Sequence, residues 1–351
     1  MNFDRVEKIA EAVLYEGYML YPYRPSSVKN QQRWNFGVLC PRSYCELQQG
    51  SEAWMMQTEC LIKTTASTRF VARIRFLQIV RRSVGKLRAP GREEREGVEP
   101  EFNCVDRLEV GGRVYQPWEE AVEREHTASL MDPATLSSLS PLYLTFPAEK
   151  RFEYLHDEQG RAVGVLVREC EALTASVQFG SAPCRNSVVK VTVRVHNLTS
   201  FGPRETTVRE DALKFSQVST HTILGVEEGE FLSLLDPPTG FEELVGQCSN
   251  IGTWPVLIGD QADTMLSSPI ILYDHPQIAP ESAGNLFDST EIDEILSLRI
   301  LTLTDDEKRE MRQSDDRARE ILERTENMPE EQFMKLHGVL RGLTSLKEEA
   351  R

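Results

Sequence analysis

The stretch Thr68–Val84, TRFVARIRFLQIVRRSV, decides the fold. Phe70, Ala72, Ile74, Phe76 and Val80 recur at every second or fourth position, with Arg73, Arg75 and Arg81 between them. A period of two belongs to a β-strand, because successive side chains leave opposite faces of the pleat. The reading is a long, half-buried strand with an apolar inner face and a basic outer face turned to solvent or a partner. On that reading Phe76→Ala costs about 3–5 kcal/mol and Arg75→Ala under about 1.

Further strands follow on either side. FNCVDRLEVGGRVYQPW places Gly111-Gly112 between two short alternating runs, and LHDEQGRAVGV places Asp157–Gly160 in the same position; both predict hairpins. AVGVLVRECEALTASVQF and SVVKVTVRVHNLT are β-branched and alternating, separated near Pro183 and Asn186. TWPVLIG and PIILYDHP predict short buried strands. At the N-terminus, Asp4 with Glu7 can cap a helix carrying Val6, Ile9, Ala10, Val13 and Leu14 and ending near Gly17. After a plausible linker at 279–288, Thr304–Glu307 forms a capping box and Pro329 fits a helical first turn. The last 71 residues hold 18 acidic and 11 basic side chains. The fold class expected is mixed α+β: a large antiparallel β-sandwich or curved-sheet core with an N-terminal helix and a C-terminal helical segment. The expected divisions are 1–57, 58–285 and an acidic helical tail over 286–351.

At 351 residues and 40% hydrophobic, the chain can fill a substantial core. No apolar run nears the roughly 18 residues that span a bilayer, and the charged start MNFDRVEKIAEAV is unlike a signal peptide, so a cytoplasmic protein without a membrane span is expected. Its net charge of −15 argues against nucleic acid as a partner. Arg69–Arg95 runs against that charge, with nine basic residues facing Glu93 and Glu94, a local +7 suited to an acidic partner or to the acidic tail. The seven cysteines include no CxxC, which argues against a disulfide framework. Cys40 and Cys45 could be half of a metal site, although ordinary buried thiols are the plainer reading.

No catalytic signature is present. The phosphate-loop pattern and GxSxG are missing, and the six histidines show no HxH, HExxH or HxxxH. No cofactor is expected. A metal-dependent hydrolase or metal-handling enzyme would have to assemble distant ligands, with His221, Asp274 and His275 as the best candidates beside Asp260 and Asp263. The densest unusual chemistry lies instead in Glu11–Cys45, EAVLYEGYMLYPYRPSSVKNQQRWNFGVLCPRSYC. Large rings supply buried area while Arg and Lys supply directional donors and cation–π contacts, so the segment suits a plug for the core or a docking surface. Tyr21, Tyr23, Arg24, Lys29, Arg33 and Trp34 are the candidate partner-binding residues.

The string EAVLYEGYMLYPYRPSSVKNQQRWNFGVLCPR resembles the opening of an uncharacterised bacterial protein family encoded beside uptake-type NiFe hydrogenases and their maturation genes. The resemblance continues through VTVRVHNLT, SSPIILYDHPQIAPES and LTDDEKREMRQSDDRAREILER, and so covers most of the chain. It implies an association with hydrogenase production, and the first reading built on it is a nonenzymatic accessory or assembly protein that binds a hydrogenase subunit or maturation factor, with the metal-dependent hydrolase or metal-handling enzyme as the alternative. It carries no catalytic residues across.

Overall fold

A computed structural model describes Phe3, residues 6–10, 36–89 and 99–276, and isolated positions between 303 and 327. Its organising element is β1 (Met55–Leu87), 33 residues long. At about 3.3 Å per residue a flat strand of this length would run roughly 110 Å, more than twice the width of a domain this size. It therefore has to bend. The bend falls at Thr65–Thr68, where Thr64 pairs with Gly229 and Arg69 with Glu227, leaving four residues of β1 opposite the single Glu228. Glu228 takes a φ of 51°. Thr68 closes the bulge: its hydroxyl accepts from the Thr65 N–H at 2.8 Å and donates to the Glu228 carbonyl.

The two halves of β1 serve different parts of one eleven-stranded antiparallel sheet. Met55–Lys63 pairs with β10 (Val188–Asn197), and Phe70–Leu77 lies between β11 (Val218–Phe231) and β5 (Trp118–Met131), with β5 continuing along β1 to Arg82. The end of β1 pairs with β8 (Ala162–Cys170) and β2 (Phe102–Cys104). From one edge to the other, the longest path runs β12 (Trp254–Leu257), β13 (Thr264–Ser268), β11, β1, β10, β9 (Leu173–Pro183), β6 (Leu142–Phe146). Because the sheet curves at the bulge, Met56, Cys60 and Ile62 of the first half share one core with Phe70, Ala72 and Ile74 of the second, together with Val191, Val193 and Leu144.

The expected hairpins are present. β3 (Leu108–Val110) and β4 (Arg113–Tyr115) are joined by Gly111 and Gly112, both at positive φ, the backbone that a two-residue turn needs and that glycine adopts without strain. β7 (Glu149–His156) returns into β8 through a turn in which Asp157 accepts from the N–H groups of Gln159 and Arg161. Asn186 and Ser187, both left-handed, turn β9 into β10.

Three expectations need correction. The second face of β1 is not solvated in its central part, since Leu77 and Ile79 share its parity with Arg75 and pack beneath Val38, Tyr44 and Cys45. Tyr44 and Cys45 belong to α2 (Arg42–Leu47), following α1 (residues 6–10); α3 (Arg209–Leu213) completes this cover with Ala212 and Leu213. Val6, Ile9 and Ala10 of α1 cover Ile223, Val256 and Leu266 on the same side of the sheet. Covered on both faces, the middle of β1 is buried at most positions, and the outward alternation is lost. Val80, expected in the core, is only half-buried.

The second correction concerns PIILYDHP, which is not a strand. Asp274 and His275 instead bond the outer side of edge strand β12, where Leu257 N–H donates to Asp274 at 2.7 Å and Leu257 C=O accepts from His275 N–H at 2.7 Å. Pro255 removes a further donor from that edge, so β12 is closed to another strand. Third, the expected boundary at residue 57 falls inside β1. Leu39 pairs with Gln217, and the Asn197 amide donates to Leu39 C=O at 2.7 Å, so residues from 36 onward are built into the sheet. The boundary at 285 and most of the expected C-terminal helical segment lie outside the described residues; within it, Leu322 is buried and Glu326 pairs with Lys308 and Arg312.

Candidate functional site

Tyr21, Tyr23, Arg24, Lys29, Arg33 and Trp34 lie outside the described residues. The described chain resumes at Phe36 and enters the sheet at once: Ser219 N–H donates to Phe36 C=O, Thr220 N–H to Gly37 C=O, and Leu39 exchanges both backbone bonds with Gln217. Gly37 is at φ 54°, and a Cβ there would sit 2.7 Å from Pro269 and 3.0 Å from the Thr220 nitrogen, so glycine is required where this segment joins the start of β11.

Four arginines of β1 face acids supplied by neighbouring strands and by α1. Arg73 pairs with Glu7 and, at 3.5 Å, with Glu125; Arg75 grips Glu123 through Nε at 2.9 Å and through Nη2, with Glu125 at 3.3 Å. Arg82 meets Glu120 at 2.9 Å, and Glu120 also accepts from Arg168 of β8 at 2.6 Å. Arg75 is 3% exposed and Arg82 is buried as well; Arg81 is exposed and pairs with Glu169 at 2.5 Å. Within the charge run, Arg73, Arg75, Arg81 and Arg82 thus meet acids inside the fold. The matching acids come from WEEAVERE, Trp118–Glu125, which the sequence reading passed over; four glutamates in eight residues beside a strand pattern were the available signal.

One end of this seam opens into a cavity of about 280 Å³ lined by Ile79, Arg81, Glu149, Lys150, Glu169, Cys170 and Lys214 among others. Its charges are spoken for. Lys150 lies 3.6 Å from Glu169 and 3.0 Å from Glu99, Glu149 pairs with Arg151 and Arg124, and Lys214 bonds Asp211 at 2.9 Å. The Arg151 and Arg124 hydrogen bonds hold the Glu149 carboxyl below its ordinary range, and the Arg81 bond does the same for Glu169. Both stay ionised near neutrality, which suits polar recognition and not proton transfer.

The residues of the metal-hydrolase reading do not converge. Among the described residues no three His, Cys, Asp or Glu side chains stand together as metal ligands. Asp274 accepts from Leu257 N–H and from the Ser233 hydroxyl at 2.5 Å, His275 Nδ1 meets Gly259 C=O, and Asp263 accepts from Thr264 at 2.8 Å. These are structural bonds that fix turns and hold the 269–276 segment against β12. No family model matches the chain, and no curated protein matches it.

His221, cross-strand from Arg75, is fully buried with Nδ1 2.9 Å from Ser219 C=O. Burial pushes its pKa down to about 4 from 6.5, so it is neutral in the fold. The unfolded chain binds the proton first as pH falls, so stability rises with pH between these values: the contribution is full above about 6.5 and lost on the way to about 4. Acidification from pH 7 to 5 should therefore cost about 2 kcal/mol through this residue. Glu59 adds a loss of the same sign at lower pH, since against its burial the Ser249 N–H and Lys190 hold its carboxyl below the usual range. Denaturant melts of His221→Asn, which keeps a donor for Ser219, should show a flatter slope between pH 6.5 and 5. An unchanged slope would remove His221 as the cause.

Proposed function

We propose that this protein is a nonenzymatic accessory or assembly factor, cytoplasmic, that acts by binding a component of NiFe hydrogenase production, either a subunit or a maturation factor. The hydrogenase assignment rests on the resemblance of the aromatic-basic opening, VTVRVHNLT and SSPIILYDHPQIAPES to that family. No helix among the described residues is long and apolar enough to cross a membrane.

The observation that supports protein binding lies in one of those phrases. In Pro269–Pro276, Ile270 and Leu272 pack beside Val6 and Ile9, while Ile271 and Tyr273 between them are 72% and 88% exposed. Two large apolar side chains are held outward by an anchored segment, next to a sheet edge that is already closed. Maintaining such groups in water carries a solubility cost without a folding return, and buried aromatic anchors dominate interfaces. Tyr21, Tyr23, Arg24, Lys29, Arg33 and Trp34 are proposed as the other part of the contact surface.

Affinity purification from the native host under hydrogenase-producing conditions should retain a hydrogenase component. Ile271→Ser with Tyr273→Ser should weaken that complex by more than about 2 kcal/mol, about 30-fold, without lowering the melting temperature, since neither side chain supports the core. Arg24→Ala with Trp34→Ala should do the same. A folded Ile271/Tyr273 variant that binds with wild-type affinity would exclude that surface, and purification without any hydrogenase component would overturn the reading.

A further inference from the structure

The longest path through the sheet has two ends, and they are finished differently. At β12 the outer edge is occupied by Asp274 and His275 and interrupted by Pro255. At the other end β6 pairs with β9 alone. Which backbone groups of β6 face outward follows from β9. Thr174 N–H donates to the Thr199 hydroxyl at 3.1 Å and Thr174 C=O accepts from Leu198 N–H at 2.8 Å, so the polar groups of Thr174 turn away from β6. These groups alternate in side along a strand. Leu173, Ala175 and Val177 therefore bond β6 through their partners Phe146, Leu144 and Leu142. The N–H and C=O of Tyr143 and Thr145 are left on the open side, and among the described residues no hydrogen bond reaches them.

No charge guards this edge. β7 carries Glu149, Lys150, Arg151 and Glu153, the kind of side chain that keeps an edge from pairing with another chain. Residues 133–148 contain no charged side chain at all, in a protein of which 27% is charged. Within them Leu139 and Tyr143 are 42% and 66% exposed and Thr145 is exposed as well, while Leu142, Leu144 and Phe146 face the main core.

We propose that β6 pairs antiparallel with β6 of a second copy of this chain, about a two-fold axis at Leu144. That register sets Tyr143 opposite Thr145 of the second copy and Thr145 opposite its Tyr143. Each pair exchanges both backbone bonds, so every open group on the two copies is met. Leu144 faces its own counterpart on the core side, and Tyr143 lies against a β-branched threonine on the outer side, a favourable cross-strand pair. Pro141 and Pro147, which lack an N–H, end the ladder and oppose each other across the axis. A slip by two residues would set a proline against Thr145 or Tyr143 and lose bonds, which fixes the register. The charge balance selects the occupant: a two-fold contact brings like against like, and in a chain of net charge −15 only an uncharged surface suits it. A ladder this short makes the association weak and reversible. It uses neither Pro269–Pro276 nor the aromatic-basic segment and does not depend on the identity of any other partner.

Sedimentation velocity of the full reduced chain at rising concentration should show a monomer–dimer equilibrium, tightening between about 20 and 150 mM salt as the net charge is screened. Tyr143→Lys charges the edge without touching the core, and Thr145→Pro removes an outward N–H without removing a bond to β9. Each should raise the dissociation constant about tenfold or more. Tyr143→Lys decides the matter if the proline variant fails to fold. Ile271→Ser with Tyr273→Ser should leave the dimer unchanged. Register is read by oxidising a mixture of Tyr143→Cys and Thr145→Cys chains, in which positions 143 and 145 should crosslink, as peptide mass spectrometry would identify. A chain that stays monomeric up to about 1 mM would overturn the proposal. So would a dimer that Tyr143→Lys leaves intact, one lost instead in the Ile271/Tyr273 variant, or crosslinks only between like positions.

Discussion

Phe76→Ala should lower the free energy of unfolding by about 3–5 kcal/mol, the range for removing a buried aromatic ring from a close-packed core. Phe76 is 1% exposed and meets the Phe146 ring edge-on, with centroids 5.3 Å apart and an interplanar angle of 87°. The contact joins the second half of β1 to edge strand β6, across the layer that the bulge at Thr65–Thr68 folds over. Truncation therefore leaves a cavity between two parts of the sheet that cannot close without shifting one of them. Denaturant melts should show the loss in the midpoint at an unchanged slope. A cost under about 1 kcal/mol would mean that the two parts are not packed as described.

Arg75→Ala should cost about 2–3 kcal/mol, not the small amount its place on a basic face suggested. The side chain is buried and forms a two-pronged bond to Glu123, with Glu125 beside it; its loss strands those carboxylates next to a covered face. Both glutamates are about one-third exposed, so water recovers part of the interaction, which keeps the cost below that of a fully buried pair. Arg81→Ala provides the contrast: its guanidinium is largely exposed and its pair with Glu169 is worth under about 1 kcal/mol. Adding Glu123→Gln to Arg75→Ala should recover part of the loss. Equal costs for Arg75→Ala and Arg81→Ala would show that burial does not separate them.

Much of the sheet was legible because its signals are local. The Gly111-Gly112 and Asp157–Gly160 turns depend on residues that tolerate or stabilise the turn backbone, and the inner face of Phe70, Ala72, Ile74 and Phe76 follows from the pleat. The charge run misled because it was counted along the chain. Charge on a sheet is balanced across strands, and the acids that meet Arg75 and Arg82 lie about 40 to 50 positions away on β5. Leu77 and Ile79 already showed, in the sequence, that the arginine face was not wholly polar.

The candidate site was less legible, for a similar reason. Pro269–Pro276 read as buried because it is apolar; tertiary contacts hold Ile270 and Leu272 inward and leave Ile271 and Tyr273 outside.

By itself, then, the sequence determined the long strand, the hairpin turns at Gly111-Gly112 and Asp157–Gly160, and which face of the long strand is apolar, since pleat geometry and turn backbone act over a few residues. Tertiary structure alone decided that this strand bends at Thr65–Thr68, that Arg75 and Arg82 are enclosed against glutamates of β5, and which apolar side chains stay in water. Those outcomes depend on pairings between residues far apart in the chain, whose register and burial no local pattern carries.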